Sequence, residues 1–491
     1  MEKAGVLCPV FSLPGAYGIG DFGTCAYQFL NILGDMGASV WQVLPLNALS
    51  FGFSPYQPLS SFAGETVYVD PEALWRDGLL KKWPGTGNFD APRVDYEAVA
   101  KVKAPFFREA FETFKKLPTK PEDYAAFRKE EWVEAYGVFI ALKERNNGKP
   151  WMEWPEKEKS GVSLSDLTET ERDRAELEIF LQYEFRVQWL RILRYAHEKK
   201  IRIMGDIPFY VGGDSLDVYS DPGEFTLDSK GYPTKVSGVP PDYFSETGQR
   251  WGNPLYRFDE MEKNGYRFWR ERLKGNAKCF DMIRIDHFLA FNRYWEIPAE
   301  EETAVNGKYV PGPAYKLLDK VLPEIPDTEI VAEDLGLIEP PVYALRDHYN
   351  FPGMNVLQFT AFDPNFKLQK RMISYTGTHD NTTARDFIDH LSEEDLRKLR
   401  EIFKAAGIKA ENGNETEQFL RYAFSLPTEY VIVPVQDILG LGAEARTNVP
   451  GEVSPKNWSW KLTDLKDFRN KTTLLHEMIQ KGKQNGRVKT L

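Results

Sequence analysis

Short, near-continuous apolar runs recur along the chain, each of strand length. They fall at 5–7, 39–46 (SVWQVLPL), 201–204, 282–285, 329–332, 355–359, 372–376 and 430–435. Runs that are apolar throughout, rather than at alternate positions, suit strands covered on both faces, hence a parallel sheet. Between them lie stretches of helical spacing. One is 24–36 (TCAYQFLNILGDM). Another is 177–200, where Phe180, Tyr183, Val187, Leu190 and Leu193 mark one face. A third, 392–405, opens on Ser392 with Asp395 three residues later, a start of capping-box type. Eight strands alternating with helices predict an α/β fold, a (β/α)8 TIM barrel, with a doubly wound sheet as the structural rival.

Two connections are too long for simple crossovers. Residues 47–200 carry charged amphipathic helices around 98–145 and a polar stretch near 154–170, and 207–275 are rich in Gly, Pro and aromatics. Both are expected as large insertions on the loop face of one catalytic barrel spanning 1–491: a helical subdomain at 66–165 and an active-site loop subdomain at 207–275. Only a short stretch follows Asp437, so no C-terminal β-sandwich domain is expected.

The net charge of −11 and scattered lysines and arginines argue against nucleic acid, which needs a basic patch. No run approaches the roughly 18 apolar residues of a membrane span, and the N-terminus lacks the pattern of a signal peptide. Three cysteines, Cys8, Cys25 and Cys279, have no zinc-like spacing and fit a reducing, cytoplasmic compartment. Aromatic content of 14% is mostly core, but flat rings also suit packing on sugar faces.

The chemistry gathers where the predicted strands end. These ends read Gly-Asp-Ile-Pro (205–208), Arg-Ile-Asp-His (284–287), Ala-Glu-Asp-Leu-Gly (332–336) and Gly-Thr-His-Asp-Asn (377–381). In a barrel all C-terminal ends share one rim, where active sites sit. That rim would gather Asp206, Asp286, Glu333, Asp334 and Asp380, with His287 and His379. A single acidic strand end is usually a helix cap; four together point to a site. Alternation puts Arg284 and Asp286 on one face, so the guanidinium would keep Asp286 ionised as a nucleophile. Crowding by Asp334 and Asp286 would keep Glu333 protonated as an acid. Such a pair suits glycoside chemistry with retention, for which the carboxyls stand about 5–5.5 Å apart. Asp380 would grip sugar hydroxyls as the ring flattens. A zinc or iron site at the two His-Asp pairs is the rival, opposed by Arg284 and by the lack of an HExxH motif. No metal or other cofactor is expected. GIGDFG (18–23) formally matches a dinucleotide fingerprint, but turn chemistry (SLPGAY) precedes it instead of a strand, so it reads as a tight loop.

The chain resembles the 4-α-glucanotransferases of amylomaltase or disproportionating-enzyme type, a branch of the α-amylase clan. The resemblance rests on SLPGAYGIGDFG (12–23), WQVLPL (41–46), SPYQPLSSFAG (54–64), GDIPFYVGGDSLDVY (205–219), GVPPDYFSETGQRWGNPLY (238–256), RIDHF (284–288), AEDLG (332–336), FPGMNVLQF (351–359), YTGTHDN (375–381) and the Asn457-Trp458 pair. It implies Asp286 as nucleophile, Glu333 as acid/base and Asp380 as transition-state stabiliser. It places Arg284, His287 and His379 at the sugar that is cleaved, and Tyr56, Asp206, Gln249, Trp251, Asp334 and Asn457 in contact with the glucan. The 238–256 loop would cover the cleft. Donors and acceptors would be maltooligosaccharides and α-1,4-glucans, with glucose as a further acceptor. A hydrolase with the same carboxylates and a non-catalytic glycan-binding barrel are the alternatives. Leu289-Ala290 after RIDHF, 382–387 after THDN and Cys8 depart from the usual family residues.

Overall fold

The computed structural model describes residues 3–488 apart from 88–90, 243–244, 337, 370 and 411–412. Its strands, in chain order, are β1 (Lys3–Leu7), β2 (Val40–Gln42), β3 (Arg202–Ile207), β4 (Lys235–Val239), β5 (Gln249–Pro254), β6 (Met282–Ile285), β7 (Arg293–Pro298), β8 (Lys308–Pro311), β9 (Glu329–Ala332), β10 (Gly353–Val356), β11 (Met372–Tyr375) and β12 (Tyr430–Pro434). Eight of them pair in parallel in the order β10-β11-β12-β1-β2-β3-β6-β9. Each of the eight predicted runs supplies one. The seam between β9 and β10 is stitched rather than laddered: Ala332 N–H donates to the Pro352 carbonyl at 2.9 Å, and Met354 N–H donates to Asp334 Oδ1 at 2.8 Å. A (β/α)8 barrel results.

Alternation along the strands sorts residues between two cores. Leu7, Val40, Met204, Met282, Val331 and Met354 fill the barrel interior with their equivalents on β11 and β12. Their strand neighbours Trp41, Ile203, Ile283 and Ile330 face outward onto helices, where Trp41 meets Phe29 and Trp189. Burying one such side chain stabilises the fold by roughly 1.5–3 kcal/mol. The inward stripes then read Arg202-Met204-Asp206, Met282-Arg284-Asp286 and Glu329-Val331-Glu333. Each has an apolar plug in or below the middle and an acid at the top. At the bottom, Arg202 donates to Glu329 (2.7 Å) and Tyr430 Oη (3.1 Å), and Arg371 reaches Glu329 (3.3 Å) and Glu429 (3.3 Å).

The expected helices appear at Thr24–Met36, Glu169–Glu198 and Glu393–Ala405. Ser392 caps the last by accepting from Asp395 N–H. The second starts earlier than the apolar periodicity indicates. A capping box of Thr168 and Glu171 opens it, and its first turns are charged and solvent-facing. Helices at Tyr96–Lys115 and Glu131–Arg145 build much of the first insertion. From the former, buried Lys103 donates to Asp21 Oδ2 at 2.7 Å and to the carbonyls of Val67 and Val69. Asp21 belongs to GIGDFG, which packs tightly: a Cβ on Gly20 would lie 1.9 Å from the Val10 carbonyl oxygen. Gly20 serves close backbone packing.

The periodicity gives no sign of a second sheet. β5-β4-β7-β8 form an antiparallel four-stranded sheet, and β4 and β5 lie inside 207–275. Its strands, such as QRWGNP and KYVP, are half polar and carry no apolar run. Beyond β6 the chain makes a single helical turn at Leu289–Asn292 and enters β7 directly, so this sheet is rooted beside Asp286. After β12 the described residues form helices and turns, with one isolated bridge from Trp460 to Arg93.

Candidate active site

The ends of β3, β6 and β9 are neighbours, and their inward acids meet around one guanidinium. Arg284 Nη1 lies 2.8 Å from both Asp206 oxygens, and Nη2 lies 3.0 Å from Asp286 Oδ1. Arg284 and Asp206 are buried, whereas the Asp286 side chain is 30% exposed and so reachable from the cleft. Tyr56 Oη donates to Asp206 Oδ2 at 2.7 Å, and its ring stacks on His379 at 5.1 Å. His379 Nε2 stands 3.5 Å from Asp380 Oδ2.

Glu333 is held by the strand end beside it. Its Oε2 accepts the His287 N–H at 2.7 Å and its Oε1 the Leu335 N–H at 3.1 Å. Two backbone donors favour the carboxylate, yet burial outweighs them and pushes the carboxyl up to about 8. Arg284 pulls it back, Asp286 pushes it further, and Asp334 adds a smaller push. Crowding by Asp286 and Asp334 acts in the expected direction, but burial is the larger cause. His287 sits at φ 50°, a strained conformation for a residue with a side chain, directly after Asp286. Burial lowers its imidazole to about 4, which keeps the ring neutral near pH 7.

One wall of the site is aromatic. The Trp251 ring meets the His287 ring edge-on at 4.8 Å, and Trp251 Nε1 donates to Gln249 Oε1 at 3.1 Å. Both residues lie on one face of β5, two positions apart. Gln57 Nε2 holds the Trp251 carbonyl at 3.1 Å, tying the antiparallel sheet to the segment that carries Tyr56. Part of the expected covering loop, 243–244, lies outside the described residues. Among the described residues no three His, Cys, Asp or Glu side chains are grouped so as to hold a metal ion.

A sequence-family profile described as 4-alpha-glucanotransferase matches residues 8–466. The chain belongs to the 4-alpha-glucanotransferase family. It is 41% identical over 475 residues to a 4-alpha-glucanotransferase of Thermus thermophilus, covering 93% of this chain and 94% of that one. It is 39% identical over 490 residues to the Aquifex aeolicus (strain VF5) protein of the same name, covering 98% and 99%. Among solved structures it superimposes on an amylomaltase from Streptococcus agalactiae in complex with acarbose, with TM-score 0.89 and 31% identity over 98% of this chain and 99% of that one.

Within this 4-alpha-glucanotransferase barrel, Asp334 and Asn457 have their polar atoms engaged by the protein itself. Asp334 is buried, and its oxygens are taken by Met354 N–H and by Arg346 at 2.5 Å. It closes the β9–β10 seam. Asn457 spends its amide on the 449–452 turn: Oδ1 accepts Val449 N–H, and Nδ2 donates to the Val449 and Glu452 carbonyls. A neighbour that the sequence reading misses is Asn448, whose Nδ2 donates to Asp380 Oδ1 at 2.6 Å. Tyr210, packed 6.2 Å from both Trp251 and His287, is another.

Proposed function

We infer that the protein is a 4-alpha-glucanotransferase that moves a segment of an α-1,4-glucan to the 4-OH of an acceptor sugar, with retention. The observation that carries this is Asp286, held by Arg284, on the strand next to Glu333, whose carboxyl is pushed up to about 8. In the proposed cycle an Asp286 oxygen attacks the anomeric carbon while Glu333 gives its proton to the departing glycosidic oxygen. The shortened glucan leaves and a β-linked glucosyl ester remains on Asp286. Glu333 then takes the proton of an acceptor 4-OH, which attacks the same carbon and releases Asp286. Two inversions restore the α configuration.

Asp380 would bind hydroxyls of the flattened ring. His287 and His379 line the same sugar, and Trp251 offers a ring to the chain. Donors and acceptors are taken to be maltooligosaccharides and longer α-1,4-glucans, with glucose as an acceptor. The helical segment 66–165 and the 207–275 segment are proposed as the walls of the cleft. The free thiols of Cys8, Cys25 and Cys279 support a reducing, cytoplasmic setting.

The test is incubation of the purified protein with maltotriose, products being resolved by chain length. Glucose with a ladder of longer oligosaccharides at constant total reducing ends is expected. Shortening with rising reducing ends would replace transfer by hydrolysis. No change with maltotriose or maltoheptaose would leave a binding barrel.

A further inference from the structure

Asp380 has a brace of its own. Its Oδ1 accepts the Asn448 amide at 2.6 Å, while its backbone carbonyl accepts Arg446 Nη2 at 2.7 Å. Arg446 Nε also donates to the Asn448 carbonyl at 2.7 Å, so one guanidinium fixes both partners. Asn448 is 7% exposed, whereas the Asp380 side chain is 45% exposed. The acid therefore faces the cleft and the amide sits behind it. The brace is itself anchored, by Trp458 N–H on the Thr447 carbonyl at 2.8 Å and by Gln436 Nε2 on Thr447 Oγ1 at 3.0 Å.

We propose that Asn448 is a positioning residue for Asp380. This rests on the reading above, in which Asp380 binds the sugar as its ring flattens. The amide engages Oδ1 and fixes the carboxylate plane, leaving Oδ2 for sugar hydroxyls. A neutral donor suits this task, because it orients the carboxylate without neutralising it. Arg446 keeps its charge on the backbone carbonyl and supplies rigidity. The interaction matters most when the ring flattens and the carboxylate geometry is most demanding, so its loss falls on kcat more than on KM.

The experiment measures disproportionation of maltotriose from about pH 5 to about pH 9 for wild type, Asn448→Ala, Asn448→Asp and Asp380→Asn, with thermal unfolding of each. Asn448→Ala is expected to lower kcat about 10-fold or more with KM within about 3-fold. Asn448→Asp places two carboxyls at hydrogen-bonding distance, where they share a proton. The other charged or titratable groups near Asp380 are His379, Tyr56 and Arg446, with Asp386 and Glu452 beyond Arg446. The introduced carboxyl can donate to Asp380 only while that proton is retained, in acid. Activity of Asn448→Asp relative to wild type should therefore fall as pH rises. Unchanged kcat in Asn448→Ala, or a wild-type pH profile in Asn448→Asp, overturns the proposal. If Asn448→Ala does not fold, the Asn448→Asp profile decides. Activity retained in Asp380→Asn would instead overturn the role of Asp380 itself, a separate failure.

Discussion

At the N-terminal end of the barrel Arg202 lies among Glu329 and Tyr430, with Arg371 bridging Glu329 and Glu429. At the C-terminal end Arg284 lies between Asp206 and Asp286, with the Tyr56 hydroxyl on Asp206. The parts are the same: guanidinium, carboxylates and a tyrosine hydroxyl. The balance differs. Two arginines face two glutamates at the bottom, and water reaches them: Arg202 and Glu329 side chains are 33% and 20% exposed. At the top one guanidinium serves Asp206 and Asp286 with Glu333 close by, and Arg284 and Asp206 are 4% and 0% exposed. Burial makes the difference: it pushes the Glu333 carboxyl up to about 8, with Arg284 opposing and Asp286 adding to the push. A partly exposed, balanced network makes a plug; its buried counterpart favours a protonated acid.

The largest expected effect belongs to the acids at the top. Asp286→Asn and Glu333→Gln should each reduce transfer by about 10⁴-fold or more, with the fold intact. Near-wild-type product ladders from either variant would end its assigned role. Next comes the contrast between the guanidiniums. Arg284→Met leaves Asp206 buried without its ion-pair partner and should cost about 3–5 kcal/mol in urea unfolding. Arg202→Met, in a partly exposed network, should cost about 1 kcal/mol. Equal costs would break the comparison.

A pH series sharpens it further. Glu333 must be protonated to act as acid, so kcat/KM should fall as pH rises through about 8. The sign for stability follows from the same carboxyl. An unfolded Glu titrates near about 4.3, so the folded state binds the extra proton between there and about 8, and stability falls as pH rises through that window. Glu333→Gln lacks this loss. Its stability relative to wild type, from urea titrations at about pH 5 and about pH 9, should rise with pH; a constant difference would contradict the shift. The smallest effect separates the two tyrosines. Tyr56→Phe should lower kcat about 10-fold, whereas Tyr430→Phe should cost about 1 kcal/mol of stability and leave turnover unchanged.

Much of this was legible because barrel strands are covered on both faces and announce themselves as apolar runs. The two-residue spacing of Arg284 and Asp286 correctly places them on one side. A motif match carries no such direction, and Asp334 turns out to close the seam. Strands of the antiparallel sheet stayed hidden because QRWGNP and KYVP are half polar. Asn448 stayed hidden for another reason. It sits on a turn, and its partner Asp380 is 68 residues away along the chain, so no local spacing connects them.

In the proposed cycle, covalent capture of the sugar rewrites the field at Glu333. While Asp286 is a free carboxylate it helps hold the proton on its neighbour. Once its charge is spent in the glucosyl ester, that repulsion vanishes and Arg284 has one anion fewer to serve. Glu333 then becomes a stronger acid that has just lost its proton, ready to accept another from an incoming hydroxyl. The substrate thereby sets the timing of its own release: the bond to Asp286 is the signal that turns donor into acceptor.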